Sequence, residues 1–220
     1  MQYMHSLSEE NYLKTIFMLA QRQGEKITPT AIAEALDNNP ASVVDMLRKL
    51  SEKKLIEYDK NKGVRMTEKG GSSALQIVRR HRLWEVFLKE KLGYTWDEVH
   101  DIAEQLEHVQ GQELADRLDK YLDYPSYDPH GDPIPQANGK MAKLYNTSLT
   151  EMAIGKVCKV VAVKDTTNSF LKYLEKLSIG IGTKIKIIEK ISFDDSIVIV
   201  VNNDVTTSVS KKFADNVLVL

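Results

Sequence analysis

His81 and Glu85 stand four residues apart, and His100, Glu104, Glu107 and His108 follow shortly after in the same chain. On a helix turning ~100° per residue, positions 100, 104, 107 and 108 fall within an arc of about 100°, so a continuous helix presents all four on one face. His81 and Glu85 share a face by the same rule. Imidazole nitrogen mixed with carboxylate oxygen suits a borderline-to-hard divalent ion, Mn²⁺, Fe²⁺, Co²⁺ or Zn²⁺. A solvated charged surface is the bland explanation for any Glu/His run. Two His-plus-Glu clusters this close together favour metal. Paired sites of this kind also activate water in hydrolases, but no nucleophile elbow or phosphate loop accompanies them, and the chain is read as a non-enzyme.

These clusters sit in the acidic part of a divided chain. Residues 1–82 carry a net charge of +4, residues 83–145 carry −7 and residues 146–220 carry +2. A basic first third joined to an acidic middle suggests an anion-binding module coupled to a cation-binding one. With 220 residues, 42% of them hydrophobic, the chain is long enough for more than one packed domain. No apolar run approaches the ~20 residues of a membrane span, and the start, MQYMHSLSEENYLK, has acids where a signal peptide needs a basic and then an apolar region. A cytoplasmic protein without membrane contact is expected. Cys158 is the one cysteine, which excludes a disulfide framework and a thiolate cluster. Its setting, KVCKVVAV, reads as a buried strand.

Tyr12, Leu13, Ile16 and Phe17 recur at helical spacing, with Ser8 as the expected N-cap and Gly24 as the stop. Thr28-Pro29 opens a second helix and Pro40 a third, joined by a tight turn through Asn38 and Asn39. Two short strands around Asp59–Gly63 complete a winged helix-turn-helix. A long helix to Leu92, then helices over about 96–106 and 111–122, follow. The proline-rich stretch 124–135 cannot be regular structure, and β-branched runs after Thr150 read as a small β-barrel with one helix over 170–177. The fold class is therefore α+β: a winged-helix domain at 1–72, a helical domain at 73–135, a linker at 136–149 and a β-domain at 150–220.

Thr28, Asn38, Asn39, Pro40, Ala41, Ser42, Asp45, Arg48 and Lys49, with Lys62 in the wing, form the expected DNA-facing set. Its basic members suit phosphates of double-stranded DNA. Pro40 and Ala41 make direct hydrogen-bond readout sparse, so thymine-methyl and shape readout carry more of the specificity.

The order winged helix, RHRLWEVFL, EVHDIAEQLEHV, DPHGDPIP and a small β-domain resembles the diphtheria toxin repressor family over essentially the whole chain. The resemblance implies a homodimeric, metal-dependent transcriptional repressor of metal homeostasis whose last domain is an SH3-like, ferrous-transport-protein-A-type module. It implies an ancillary site at His81, Glu85 and His100 and a primary, regulatory site at Glu104, Glu107 and His108, completed from the first helix at Asn11. Asp165 and Asn168 align with further ancillary ligands. Two positions depart from the pattern. Asn11 stands where relatives carry Met or an acid, and Lys14 where manganese-type members can carry a further acid. Glu104 replaces the Cys of iron-type members, which leans the expected cofactor from Fe²⁺ towards Mn²⁺. A metal-independent winged-helix regulator with a structural acidic cluster is the alternative.

Overall fold

In the computed structural model, which describes residues 5–23, 27–109 and 111–220, the first helix α1 spans Leu7–Gln23. It starts earlier than Ser8 implies because Ser6 forms the cap. The Glu9 amide donates to Ser6 Oγ (3.3 Å) while the Ser6 amide donates to Glu9 Oε2 (3.1 Å), a reciprocal capping box. The expected stop at Gly24 lies outside the described residues.

Helix α2 (Pro29–Ala35) is capped by Thr28, whose Oγ1 accepts from the Ala31 amide, and α3 (Pro40–Glu52) by Asn39, whose Oδ1 accepts from the Ala41 amide. The turn between them places Asp37 at φ 46°, a region Asp tolerates. Strands β1 (Ile56–Asp59) and β2 (Gly63–Met66) pair antiparallel from Ile56↔Met66 to Asp59↔Gly63. Ile27 adds a bridge to Val64, so the wing is stitched back to the helices. Tyr12, Leu13, Ile16, Ile32, Val43, Leu47, Leu50, Leu55 and Ile56 make one buried core.

Helix α4 (Glu68–Leu92) includes Gly70 and Gly71 in its first turn. Gly70 is there for clearance: a Cβ would lie 1.8 Å from the Leu55 carbonyl oxygen. That oxygen also accepts from the Thr67 amide and hydroxyl, so it has no room to retreat. Helices α5 (Val99–Leu106) and α6 (Gln112–Tyr121) follow. Of the apolar residues on α5 and α6, Val99, Ala103 and Leu118 are buried, Ile102 and Leu106 are half-buried and Leu114 is exposed.

The chain folds as two compact units. The first comprises residues 1–81, 104–117 and 135–140. The second comprises 82–103, 118–134 and 141–220 and holds two further cores, one around Leu83, Val86, Leu118, Leu122 and Ile134 and one in the C-terminal module. That module is a five-stranded antiparallel sheet in the order β6-β5-β4-β3-β7, built from β3 (Val157–Val163), β4 (Lys184–Lys190), β5 (Ile197–Val201), β6 (Val205–Val209) and β7 (Val217–Val219). Helices α7 (Asn168–Lys176) and α8 (Lys211–Asn216) complete it. Strand β6 and helix α8 escape the sequence reading. VTTSV is a largely exposed edge strand with little apolar pattern, and α8 is a single short turn-and-a-half. Cys158 is buried with its thiol directed to the Ile185 carbonyl, and burial pushes its pKa up. No helix among the described residues is long and apolar enough to cross a membrane.

Glu9, almost fully buried, ties α1 to α3: Lys53 Nζ lies 2.7 Å and Lys49 Nζ 3.2 Å from its Oε1. Burial alone would raise its pKa, but the Lys53 ammonium, the Ser6 amide and Lys49 outweigh it and hold the carboxyl at about 2.

Two stability predictions follow from this packing. Gly70→Ala should cost about 3 kcal/mol or more, because the new methyl must displace backbone, whereas Gly180→Ala, with open space around it, should stay within about 1 kcal/mol; denaturant melts compare them. A carboxyl held below its ordinary 4.5 adds stability that is complete above that pH and is lost as pH falls toward about 2. Lys53→Met should therefore lower stability at neutral pH and move acid unfolding, followed by circular dichroism, to higher pH.

Candidate metal centre and nucleic-acid face

Helix α5 ends at Leu106, and the Val109 amide closes a turn onto the Leu106 carbonyl (3.0 Å). Glu107 and His108 therefore sit in that turn rather than on a continuous helical face. This overturns the expectation that His100, Glu104, Glu107 and His108 share one face. His100 falls in the second unit, and the other three fall in the first.

In the first unit, ligand-type atoms of His81, Glu104 and Glu107 all lie within 4.8 Å of one another. His81 Nδ1 is 2.6 Å from Glu107 Oε2, so His81 also reaches the primary set. His108 Nδ1 is 2.7 Å from Glu10 Oε2 and its Nε2 3.8 Å from Glu107 Oε1. The Glu107 side chain is fully buried. A buried carboxylate is tolerated only when paired and hydrogen-bonded, and two helices, α1 and α4, supply what it needs. From α1, Lys14 Nζ lies 2.8 Å from Glu107 Oε2 and 2.5 Å from Glu104 Oε1. From α4, Arg80 Nε donates to the Glu107 carbonyl (2.5 Å) while its guanidinium reaches Glu10 (3.3 Å).

Lys14 thereby offsets the repulsion that Glu104 and Glu107 would otherwise exert on each other in the absence of metal. Sequence reading placed Lys14 beside the site without this role, and it missed Glu10. The available signal was spacing: Glu10, Asn11 and Lys14 lie within about 100° of arc on α1.

The donor set fits a divalent cation. Imidazole and carboxylate converge, and two buried oxygens, Glu107 Oε1 and Asn11 Oδ1, have no hydrogen-bond partner among the described residues. Asn11 is thus compatible with its expected place in the set.

The second unit gathers Glu85, Asp128 and His130, all buried, with ligand-type atoms within 4.8 Å of one another. His100 Nδ1 lies 3.3 Å from Glu85 Oε1 and His130 Nδ1 lies 3.6 Å from it. Asp128 and His130 were not expected to take part, since they lie in the proline-rich loop. His130 also stacks on Trp96 and approaches its carbonyl (3.2 Å). Burial, with Glu85 and Asp132 nearby, pushes Asp128 up to about 7 against the pull of Arg82 and His130. Asp165 accepts from the Thr167 amide (2.9 Å) and Asn168 opens α7.

On the winged helix, residues 38–42, with Asp45, Arg48, Lys49 and Lys62, are exposed. Several have structural work: Thr28 and Asn39 are caps, Asn38 donates to the Tyr12 hydroxyl (3.2 Å), and Lys49 pairs with Glu9. Arg48 pairs with Asp45 at 3.2 Å on the surface, a contact weak enough to open for another anion.

Comparison with known proteins supplies the family. Residues 4–64 match the iron dependent repressor N-terminal DNA binding domain, 67–136 its metal binding and dimerisation domain, and 147–220 the FeoA domain. The iron-dependent repressor IdeR of Mycobacterium tuberculosis is 36% identical over 128 residues, covering 57% of this chain and 54% of its own length. The chain thus spans about half of that relative. IdeR of Mycobacterium leprae is 34% identical over 163 residues, 69% of each protein. A solved manganese-dependent transcriptional repressor in complex with manganese is 32% identical, with a TM-score of 0.88 over 96% of this chain and 99% of that one. With an N-terminal DNA-binding-type domain, a ligand cluster against its first helix and a FeoA module in the family's order, the chain belongs to the iron-dependent (diphtheria toxin) repressor family.

Proposed function

We propose that the chain is a metal-dependent transcriptional repressor that binds operator DNA as a homodimer in the cytoplasm and controls manganese or iron homeostasis. The observation that carries this reading is the convergence of His81, Glu104, Glu107 and His108 with α1, the first helix of the winged-helix unit, inside one compact unit. Glu104, Glu107 and His108 hold the regulatory ion, with His81 beside them and the Asn11 amide oxygen offered from α1. A bound Mn²⁺ or Fe²⁺ supplies two positive charges and a demand for several oxygen and nitrogen ligands drawn from separate elements. Glu85 and His100 retain the ancillary assignment, with Asp128 and His130 packed around Glu85.

The oxygen-and-imidazole set has no thiolate, which inclines the cofactor to Mn²⁺, and the manganese complex of the similar repressor supports that inclination. Residues 1–72 present α3 and the wing to DNA, residues 73–135 sense metal and dimerise, residues 136–149 connect, and residues 150–220 form the SH3-like module. Placement of α1 by its ligand-bearing face sets the position of the α3 surface that follows it, and in a two-fold dimer the separation of two such surfaces decides whether both half-sites are reached. Coupling of this kind is a population shift, and it is reciprocal. The clusters are sensory in this reading, and no turnover is assigned to them.

Binding to a duplex selected by the protein from a random pool in the presence of Mn²⁺ tests this, read by fluorescence anisotropy under anaerobic conditions. Mn²⁺ or Fe²⁺ should tighten binding about 10- to 100-fold, equivalent to ~1.4–2.8 kcal/mol of coupling, and Glu107→Ala should remove that gain. Equal affinity in excess chelator would sink the proposal and favour a metal-independent regulator with a structural acidic cluster.

A further inference from the structure

We propose that Lys14 is the resident cation of the regulatory pocket, so that a divalent ion enters by exchange with its ammonium rather than by filling a vacancy. The inference rests on the proposed metal-binding role of Glu104 and Glu107. Lys14 Nζ lies 2.5 Å from Glu104 Oε1 and 2.8 Å from Glu107 Oε2, the same oxygens that would face a metal. Its side chain is only 13% exposed, so this is a seated group and not a surface lysine in passing contact.

Charge and ligand geometry argue for exchange. Among the described residues, three carboxylates, Glu10, Glu104 and Glu107, and two permanent cations, Lys14 and Arg80, stand around the pocket. The set is one negative charge from neutral, with the histidines uncharged. Entry of a divalent ion with Lys14 retained leaves an excess positive charge in a largely buried site, and two cations then contend for the same carboxylate oxygens. Withdrawal of Nζ leaves the set neutral. Like charges at such separations repel strongly wherever water is scarce. The lysine stem is long and flexible, which gives the ammonium a route outward that Arg80, bound to the Glu107 carbonyl, does not have.

Two consequences follow. The pocket binds metal less tightly than its donor set alone allows, which raises the concentration at which the chain responds. Helix α1 is also already tethered to the turn after α5 without metal, so Lys14 sets the threshold of the switch and stabilises its unliganded state. Lys14 is in this sense a residue that tunes metal affinity without being a ligand.

The test is direct titration of the metal-free full chain with Mn²⁺ against a fluorescent chelator, with no DNA present, on the wild type, Lys14→Met, Lys14→Ala, Lys14→Arg and Glu107→Gln. Met preserves the length of the stem, and its thioether is a poor ligand for Mn²⁺; Ala is the second neutral variant should Met perturb folding, and circular dichroism checks both. The neutral variants should bind Mn²⁺ at least tenfold more tightly than the wild type, and Lys14→Arg should stay within about threefold. In metal-free thermal melts the neutral variants should unfold earlier than the wild type but gain a larger rise in Tm on adding Mn²⁺, an increase that a merely structural lysine would not produce. If Glu107→Gln loses Mn²⁺ binding while the neutral variants bind no tighter than the wild type, the exchange idea is overturned and the metal site stands. If Glu107→Gln binds Mn²⁺ as the wild type does, the site itself is misassigned and both readings fall.

Discussion

A fully buried carboxylate, that of Glu107, is the constraint around which the first unit is organised. Left unpaired, such a group costs several kcal/mol, more than a marginally stable domain carries in reserve. It is answered from three directions at once: Lys14 on α1, His81 on α4, and Arg80 on α4 gripping the backbone of the same residue. Those contacts fix α1, α4 and the turn after α5 against one another. Since α1 shares its apolar face with α2, α3 and the wing in a single core, the buried charge is linked to α3 through close packing.

The same physics recurs in the second unit with different partners. Arg82 is buried and donates to the Pro133 carbonyl (2.6 Å) while facing Asp128 and Asp132. It anchors the proline-rich loop, whose Gly131, at φ 88°, lets the backbone close on β3: a Cβ there would lie 2.1 Å from the Val161 oxygen. The run Arg79-Arg80-His81-Arg82 is therefore a fan. Successive residues on a helix point ~100° apart, so Arg79 meets Asp116, Arg80 meets Glu10 and Glu107, His81 meets Glu107 and Arg82 meets the loop. Four adjacent polar residues thereby find partners on different sides of the helix, which is why it tolerates so much charge on nearly every side.

Much of this was legible in the residues. Apolar periodicity located α1 to α4, Thr28-Pro29 and Asn39-Pro40 marked two helix starts through side-chain capping, and the Asp59–Gly63 turn marked the wing. Type and spacing also singled out the candidate ligands, whose role is part of the proposed function. What periodicity could not reveal is where a helix stops. The pattern from His100 to His108 continues past Leu106 although the backbone does not, and the continuation hides the division of those residues between two units. Ser6 was overlooked as a cap because Ser8 has the same chemistry; only the reciprocal Glu9 contact distinguishes them. Edge strand β6 is mostly exposed and has a valine only at each end, too little alternation to read. Lys14 was hardest, because its role depends on a contact with residues ninety and more positions away in the chain.

The structural duties of the turn before α3 bear on how the proposed DNA readout can work. Asn38 and Asn39 are the amide side chains best suited to bidentate recognition of adenine, yet Asn38 is held by Tyr12 and by the Asn39 amide, and Asn39 is held as the cap of α3. Releasing Asn39 to contact a base would sacrifice a helix cap worth ~1 kcal/mol. At the leading end of α3 this leaves Pro40, Ala41 and Ser42: an apolar surface and one hydroxyl. Such a surface favours thymine methyls and tolerates many sequences by hydrogen-bond criteria. Discrimination must then come from groove shape and from the fixed spacing of two half-sites. A regulator that reads spacing more than base edges is one whose affinity responds steeply to small shifts of α1, so sparse base readout and the proposed metal control through that helix would be two sides of the same arrangement.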